Sequence, residues 1–172
     1  HLQQDYSRTR GLTEPVYIET IIEDALQLNR EQNAKFDIRI EKDFAKLPEC
    51  WIDRQKLLQI LINLFSNARH AVMAKENGPK MVRVVLMQAR PDRVCIEVSD
   101  NGMGIAPDDL TRIFQHGFTT RADGHGFGLH SSAIATAELG GSLRAESEGI
   151  EKGAIFVIDL PFRPKEEFHG FE

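Results

Sequence analysis

Only two cysteines occur in 172 residues, and Cys50 and Cys95 form no CxxC pair. That excludes a disulfide framework and a cysteine-rich zinc site. Both fall in segments that read as strands, so buried free thiols in a reducing, cytoplasmic setting are expected. No apolar run approaches the roughly 20 residues that span a bilayer. The polar start His1-Leu2-Gln3-Gln4-Asp5 lacks the pattern of a signal peptide. No membrane contact is expected of this segment, although a longer parent chain could be anchored elsewhere. An excess of positive charge is missing as well: 21 Lys and Arg against 26 Asp and Glu leave a formal net charge of -5. Nucleic acid is therefore not expected as a ligand, and any phosphate site must be local. There is no GxxxxGK[ST] loop, and Leu129 stands where a GxGxxG dinucleotide turn would need its last glycine.

What is present is the composition of a water-exposed globular domain, 41% hydrophobic and 27% charged, at a length that suits one core. Ile18, Ile21, Ile22, Ala25 and Leu28 recur at helical spacing after Pro15, which predicts a helix over about 15–33. Residues 36–40 alternate as a strand, and Cys50-Trp51-Ile52 reads as a short second one beyond the Pro48 loop. Asp53 can cap a long helix whose stripe Leu57, Leu61, Leu64, Ala68 and Val72 runs on to Asn77-Gly78-Pro79. Residues 81–88 and 93–99 form a hairpin about Arg90-Pro91-Asp92. A short helix over 107–114, a glycine-containing loop over 115–125 and a helix over 126–139 stopped by Gly140-Gly141 follow. Strands at 142–147 and 154–160 close the chain. Adjacent hairpins with helices set apart favour an α+β fold, a two-layer α/β sandwich with a mixed sheet on one side and helices on the other.

Four short segments carry chemistry. On the long helix, Asn63, Asn67 and His70 lie within a narrow arc beside the apolar stripe. Neutral amide oxygens suit Mg²⁺, which takes one or two protein ligands when nucleotide phosphates supply others; a solvated helix face is the plainer reading. Asp100 meets Asn101-Gly102-Met103-Gly104, where a carboxylate can accept from an exocyclic amine and two glycines permit close approach; an ordinary turn is the alternative. Gly124, Gly126 and Gly128 precede a helix whose unpaired amides can receive phosphate oxygens, or else form a flexible connector. Thr119, Thr120 and Arg121 can contact phosphates from a lid whose near end Phe114 and Phe118 anchor.

In this order and spacing, Asn63-Leu64-Phe65-Ser66-Asn67-Ala68, Asp100-Asn101-Gly102-Met103-Gly104, Phe114 to Thr120 and Gly124 to Leu129 resemble the N box, first glycine box, F box and second glycine box of the GHKL superfamily. They are most similar to the ATP-binding catalytic domain of bacterial sensor histidine kinases, and Gly153-Ala154-Ile155-Phe156 through Leu160-Pro161 extends the match. The resemblance covers about residues 12–162 and implies a Bergerat-type fold binding ATP and Mg²⁺. By that resemblance Asn67 is the Mg²⁺ ligand, and Asp100 pairs with the adenine amine. Gly102 and Gly104 shape the base pocket, while Gly124, Gly126 and Gly128 approach the phosphates beside Leu129. Phe118, Thr119, Thr120 and Arg121 belong to the lid region, and His70 stands at a basic phosphate-contacting position.

Asn63 separates branches of the superfamily, because an ATPase of the gyrase or chaperone type places a Glu there and an amide cannot act as a general base. The resemblance therefore implies transfer of the γ-phosphoryl to a histidine of a separate dimerisation and phosphoacceptor domain, then to a response regulator receiver domain. A GHKL ATPase, a serine-type protein kinase and a nucleotide sensor without turnover are the rival readings. Residues 1–11 resemble the end of the dimerisation domain, which would put the acceptor histidine before His1, and 163–172 read as a tail. Ile155 departs from a position where relatives often carry Thr near adenine.

Overall fold

The computed structural model describes residues 13–119 and 128–165. In chain order the elements are β1 (Glu14–Val16), α1 (Ile18–Leu28), α2 (Arg30–Lys35), β2 (Ile38–Phe44), β3 (Cys50–Ile52), α3 (Arg54–Ala74), β4 (Lys80–Arg90), β5 (Arg93–Asp100), α4 (Gly128–Glu138), β6 (Ser142–Glu146) and β7 (Ala154–Pro161). The main sheet has five strands in the order β2-β4-β5-β7-β6, parallel between β2 and β4 and antiparallel elsewhere. This is the α+β sandwich expected, with α1, α3 and α4 on one face.

Strand alternation builds that interface. Val82, Val84 and Leu86 of β4, Val94, Ile96 and Val98 of β5, and Ala154, Phe156, Ile158 and Leu160 of β7 are all buried. Their registers stack Val84 on Val98 and Ile96 on Ile158, so one pleat of the sheet is continuously apolar. Against it lies α3, where Leu57, Ile60, Leu61, Leu64, Phe65, Ala68 and Val72 are buried at steps of three and four. The Asp53 carboxylate caps this helix, accepting from Lys56 N at 3.1 Å.

The first predicted helix is divided. Pro15 belongs to β1, which among the described residues pairs with β3 in a two-stranded sheet, where a residue without an N–H is tolerated. The helix begins at Ile18 and stops at Asn29, whose amide reaches back to Ala25 O and accepts Arg69 Nη1 at 2.8 Å. Competition by this side chain for backbone partners ends the apolar helix, and α2 buries no residue. The expected helix at 107–114 is instead a series of turns. Asp109 N donates to Ala106 O and Arg112 N to Asp109 O in three-residue steps, a single four-residue bond from Ile113 N to Asp109 O does not propagate, and within the segment only Ile113 is buried.

The short strand β3 does not join β2; it pairs with β1 and receives Pro164 on its other side. Cys50 and Cys95 are free and buried as expected. Among the described residues no helix is long and apolar enough to cross a membrane.

Candidate functional site

A cavity of about 410 Å³ opens between α3, the turn after β5, the segment 105–119 and the start of α4. Asn63, Asn67 and His70 all line it, as the helical spacing predicted, and Ser66, Ala71 and Ala74 complete that wall. At about 1.5 Å per residue, Asn63 lies roughly 12 Å along α3 from Ala71. The helix thus spans the cavity from end to end.

Asp100 forms the far end. One carboxylate oxygen accepts from Gly102 N at 2.8 Å. Burial pushes the Asp100 carboxyl up to about 6, against the opposing pull of backbone donors at Gly102 and Ala154. The turn is pressed onto α3: Met103 N donates to Ala71 O at 2.9 Å, and a Cβ at Gly102 would stand 2.3 Å from the Ala71 carbonyl carbon. Only glycine fits that contact. Gly104 has φ +71 and no room for a Cβ beside Gly149 O, 2.0 Å away. Asn101 serves the scaffold, since its side chain accepts from Met81 N at 2.9 Å and donates to Pro79 O at 2.8 Å.

The three polar residues of α3 have different surroundings. The Asn63 amide donates to Ser132 Oγ at 3.2 Å and to Gly128 O at 3.5 Å, tying α3 to the first turn of α4. His70 Nδ1 lies 2.7 Å from Ser66 O. A carbonyl can only accept, so Nδ1 carries the proton and Nε2 is left for the cavity. Asn67 lines the cavity and takes no part in these bonds.

Across from α3, Phe118, Thr119, Gly128 and Leu129 line the cavity with Ile113. The near end of the expected lid is anchored as predicted: Phe114 meets Phe156 edge-on at 6.3 Å, and the Arg112 guanidinium lies 5.1 Å from the Phe118 ring centroid. His130 Nδ1 bonds Phe114 O at 3.0 Å, joining α4 to the same segment. Thr120, Arg121, Gly124 and Gly126 lie outside the described residues.

Several cavity residues escaped the sequence reading, among them Met103, Ile105, Asp109, Ile150, Ala154 and Phe156. Ala154 and Phe156 were read as part of the segment that extends the family match, with no role in a pocket, and Ile150 comes from a loop with no motif. Asp109, the second carboxylate of the lining, is paired with Arg112. The expectation for Ile155 is corrected: it pairs with Ser99 and Glu146 on the opposite pleat, while its neighbour Ala154 lines the cavity.

A half-buried carboxylate in a glycine turn, facing an amide-bearing helix across a nucleotide-sized cleft, defines an ATPase-type domain on a two-layer sandwich. Residues 52–164 match the family described as histidine kinase-, DNA gyrase B-, and HSP90-like ATPase. The chain belongs to that family, as a catalytic domain of the sensor histidine kinase type. It is 43% identical over 110 residues to the sensor histidine kinase ZraS of Salmonella typhimurium, an alignment covering 63% of this chain and 22% of the relative. The mycobacterial sensor histidine kinase MprB superposes with a TM-score of 0.76 at 25% identity over 89% of this chain and 99% of that one. Full-length ShkA in complex with AMPPNP gives a TM-score of 0.78 at 29% identity over 88% of this chain and 31% of the other. The chain thus spans less than a third of two of these relatives.

Proposed function

We propose that this domain binds Mg-ATP in the cavity and passes the γ-phosphoryl to a histidine on a separate dimerisation and phosphoacceptor domain, for relay to a response regulator receiver domain. The observation that carries the reading is the placement of Asp100 at one end of the cavity and of Asn63, Asn67 and His70 along its α3 wall. Asp100 accepts the adenine exocyclic amine, a donor that adenine has and guanine lacks at the equivalent position. Gly102 and Gly104 let the turn approach the base. Asn67 holds Mg²⁺ through its amide oxygen; the donor set fits, because phosphates and waters complete the coordination of a hard cation held by one protein ligand. Bound there, the ion would neutralise charge on the β- and γ-phosphates. His70 stands beside the phosphates, and the amides of the glycine segment from Gly124 to Leu129 receive them. Phe118, Thr119, Thr120 and Arg121 close over them.

No base for water activation stands at position 63, where the amide is committed to α4. Positioning and charge stabilisation then serve transfer in preference to hydrolysis. In this reading residues 12–162 are the catalytic domain, 1–11 end an upstream dimerisation domain, and the whole works in the cytoplasm as part of a parent that is membrane-anchored or free. The experiment is calorimetric titration with ATP, with and without Mg²⁺, and with GTP as control, followed by transfer of labelled γ-phosphoryl to an added phosphoacceptor domain. Magnesium-assisted, ATP-selective binding and labelled histidine are expected. Folded protein that binds no ATP overturns the reading.

A further inference from the structure

Ile150 is an anomaly: a large apolar side chain, 57% exposed, that nevertheless lines the cavity. It sits in the loop between β6 and β7, and that loop is constructed around it. Gly149 and Gly153 have φ of +125 and +71, and Glu151, which is not glycine, has φ +65. A left-handed conformation at a residue with a Cβ persists only where the surroundings impose it.

Two backbone bonds impose it here. Glu151 N donates to Met103 O at 2.7 Å and Gly153 N to Gly102 O at 3.2 Å, fastening the loop to the turn that carries Asp100. Ser147 Oγ adds a hub, accepting from Ile105 N at 3.0 Å and donating to Gly153 O at 2.6 Å. Ile150 is therefore held at the Asp100 end of the cavity, away from Asn63 and Gly128.

We infer that Ile150 is an apolar flap over the nucleobase, an affinity residue that contacts the adenine ring from the side opposite α3. The inference rests on the reading of the cavity as an ATP site. A base arriving beside Met103 and Ile105 covers the exposed face of Ile150, so burial that the free domain lacks is completed by the ligand. The phosphates play no part in that contact.

The test measures the affinities of ATP, ADP and adenosine for the wild type, Ile150→Ala and Ile150→Leu, each with and without Mg²⁺. Ile150→Ala is expected to weaken all three ligands by a common factor of about tenfold. The ratio of affinities with and without Mg²⁺ stays as in the wild type, the unliganded melting temperature is unchanged, and Ile150→Leu restores most of the binding. Affinities within twofold of the wild type, or a loss confined to ATP, would overturn the flap. If the wild type itself binds no ATP, the failure lies in the ATP-site reading instead.

Discussion

Replacing Asp100 by Asn should make the unliganded domain more stable and its nucleotide binding weaker. The Asp100 carboxyl is raised from 3.8 to about 6 by burial. At about 1.4 kcal/mol per pKa unit, its ionisation costs the fold about 3 kcal/mol at neutral pH. The sign follows from the direction. A carboxyl whose folded pKa is raised binds its proton more tightly in the native state, so the native state is favoured at low pH and loses stability as pH climbs from about 4 to about 6. Asn has the protonated carboxyl's shape and no charge, and it escapes that loss. In urea titrations without nucleotide, Asp100→Asn should exceed the wild type by up to about 3 kcal/mol at pH 8, or roughly 6–12 °C in Tm. The gap should close as pH falls through 6 towards 4. Binding should move the other way. A hydrogen bond to a charged acceptor contributes about 1.5–3 kcal/mol, so ATP should bind about 10- to 150-fold more weakly. A wild type as stable as the variant at pH 8, or a gap that does not depend on pH, would refute the account of Asp100 as a charge held in place for a ligand.

Ser147→Ala leaves Ile105 N and Gly149 N without their shared acceptor, which should cost about 1–3 kcal/mol in chemical denaturation; a variant as stable as the wild type would show that the hub is dispensable. Asn63→Ala removes the donor to Ser132 Oγ, a hydroxyl on a residue only 1% exposed. The expected loss is about 1–2 kcal/mol, with faster amide hydrogen exchange in the first turn of α4, and unchanged exchange there would contradict the tether.

Comparison of particular elements shows how sequence and structure divide the information. The stripe from Leu57 to Val72 and the alternation in β4, β5 and β7 depend on local periodicity, which survives in the chain as written, so α3 and the hairpin were legible. Pro15 and Asn29 misled because their effects depend on partners. Pro15 found an edge opposite Trp51, and Asn29 found the Arg69 guanidinium, residues distant in the chain. At 107–114 the composition allowed a helix, but packing held only its end at Ile113 and Phe114.

The site divides the same way. That Asn63, Asn67, His70 and the Asp100 turn border one cavity was readable, because amides at helical spacing and an acid before paired glycines lie in short segments. The sequence by itself also determined the family, since motif order is a property of the chain alone. Only the tertiary structure decided which face Ala154 and Ile155 take, because a strand's pleat has no inside until α3 packs on it. It likewise decided that Asn63 holds α4, that Asp100 is raised by burial, and that Ile150 stands at the cavity. Each depends on contacts between segments tens of residues apart, and folding alone brings those together.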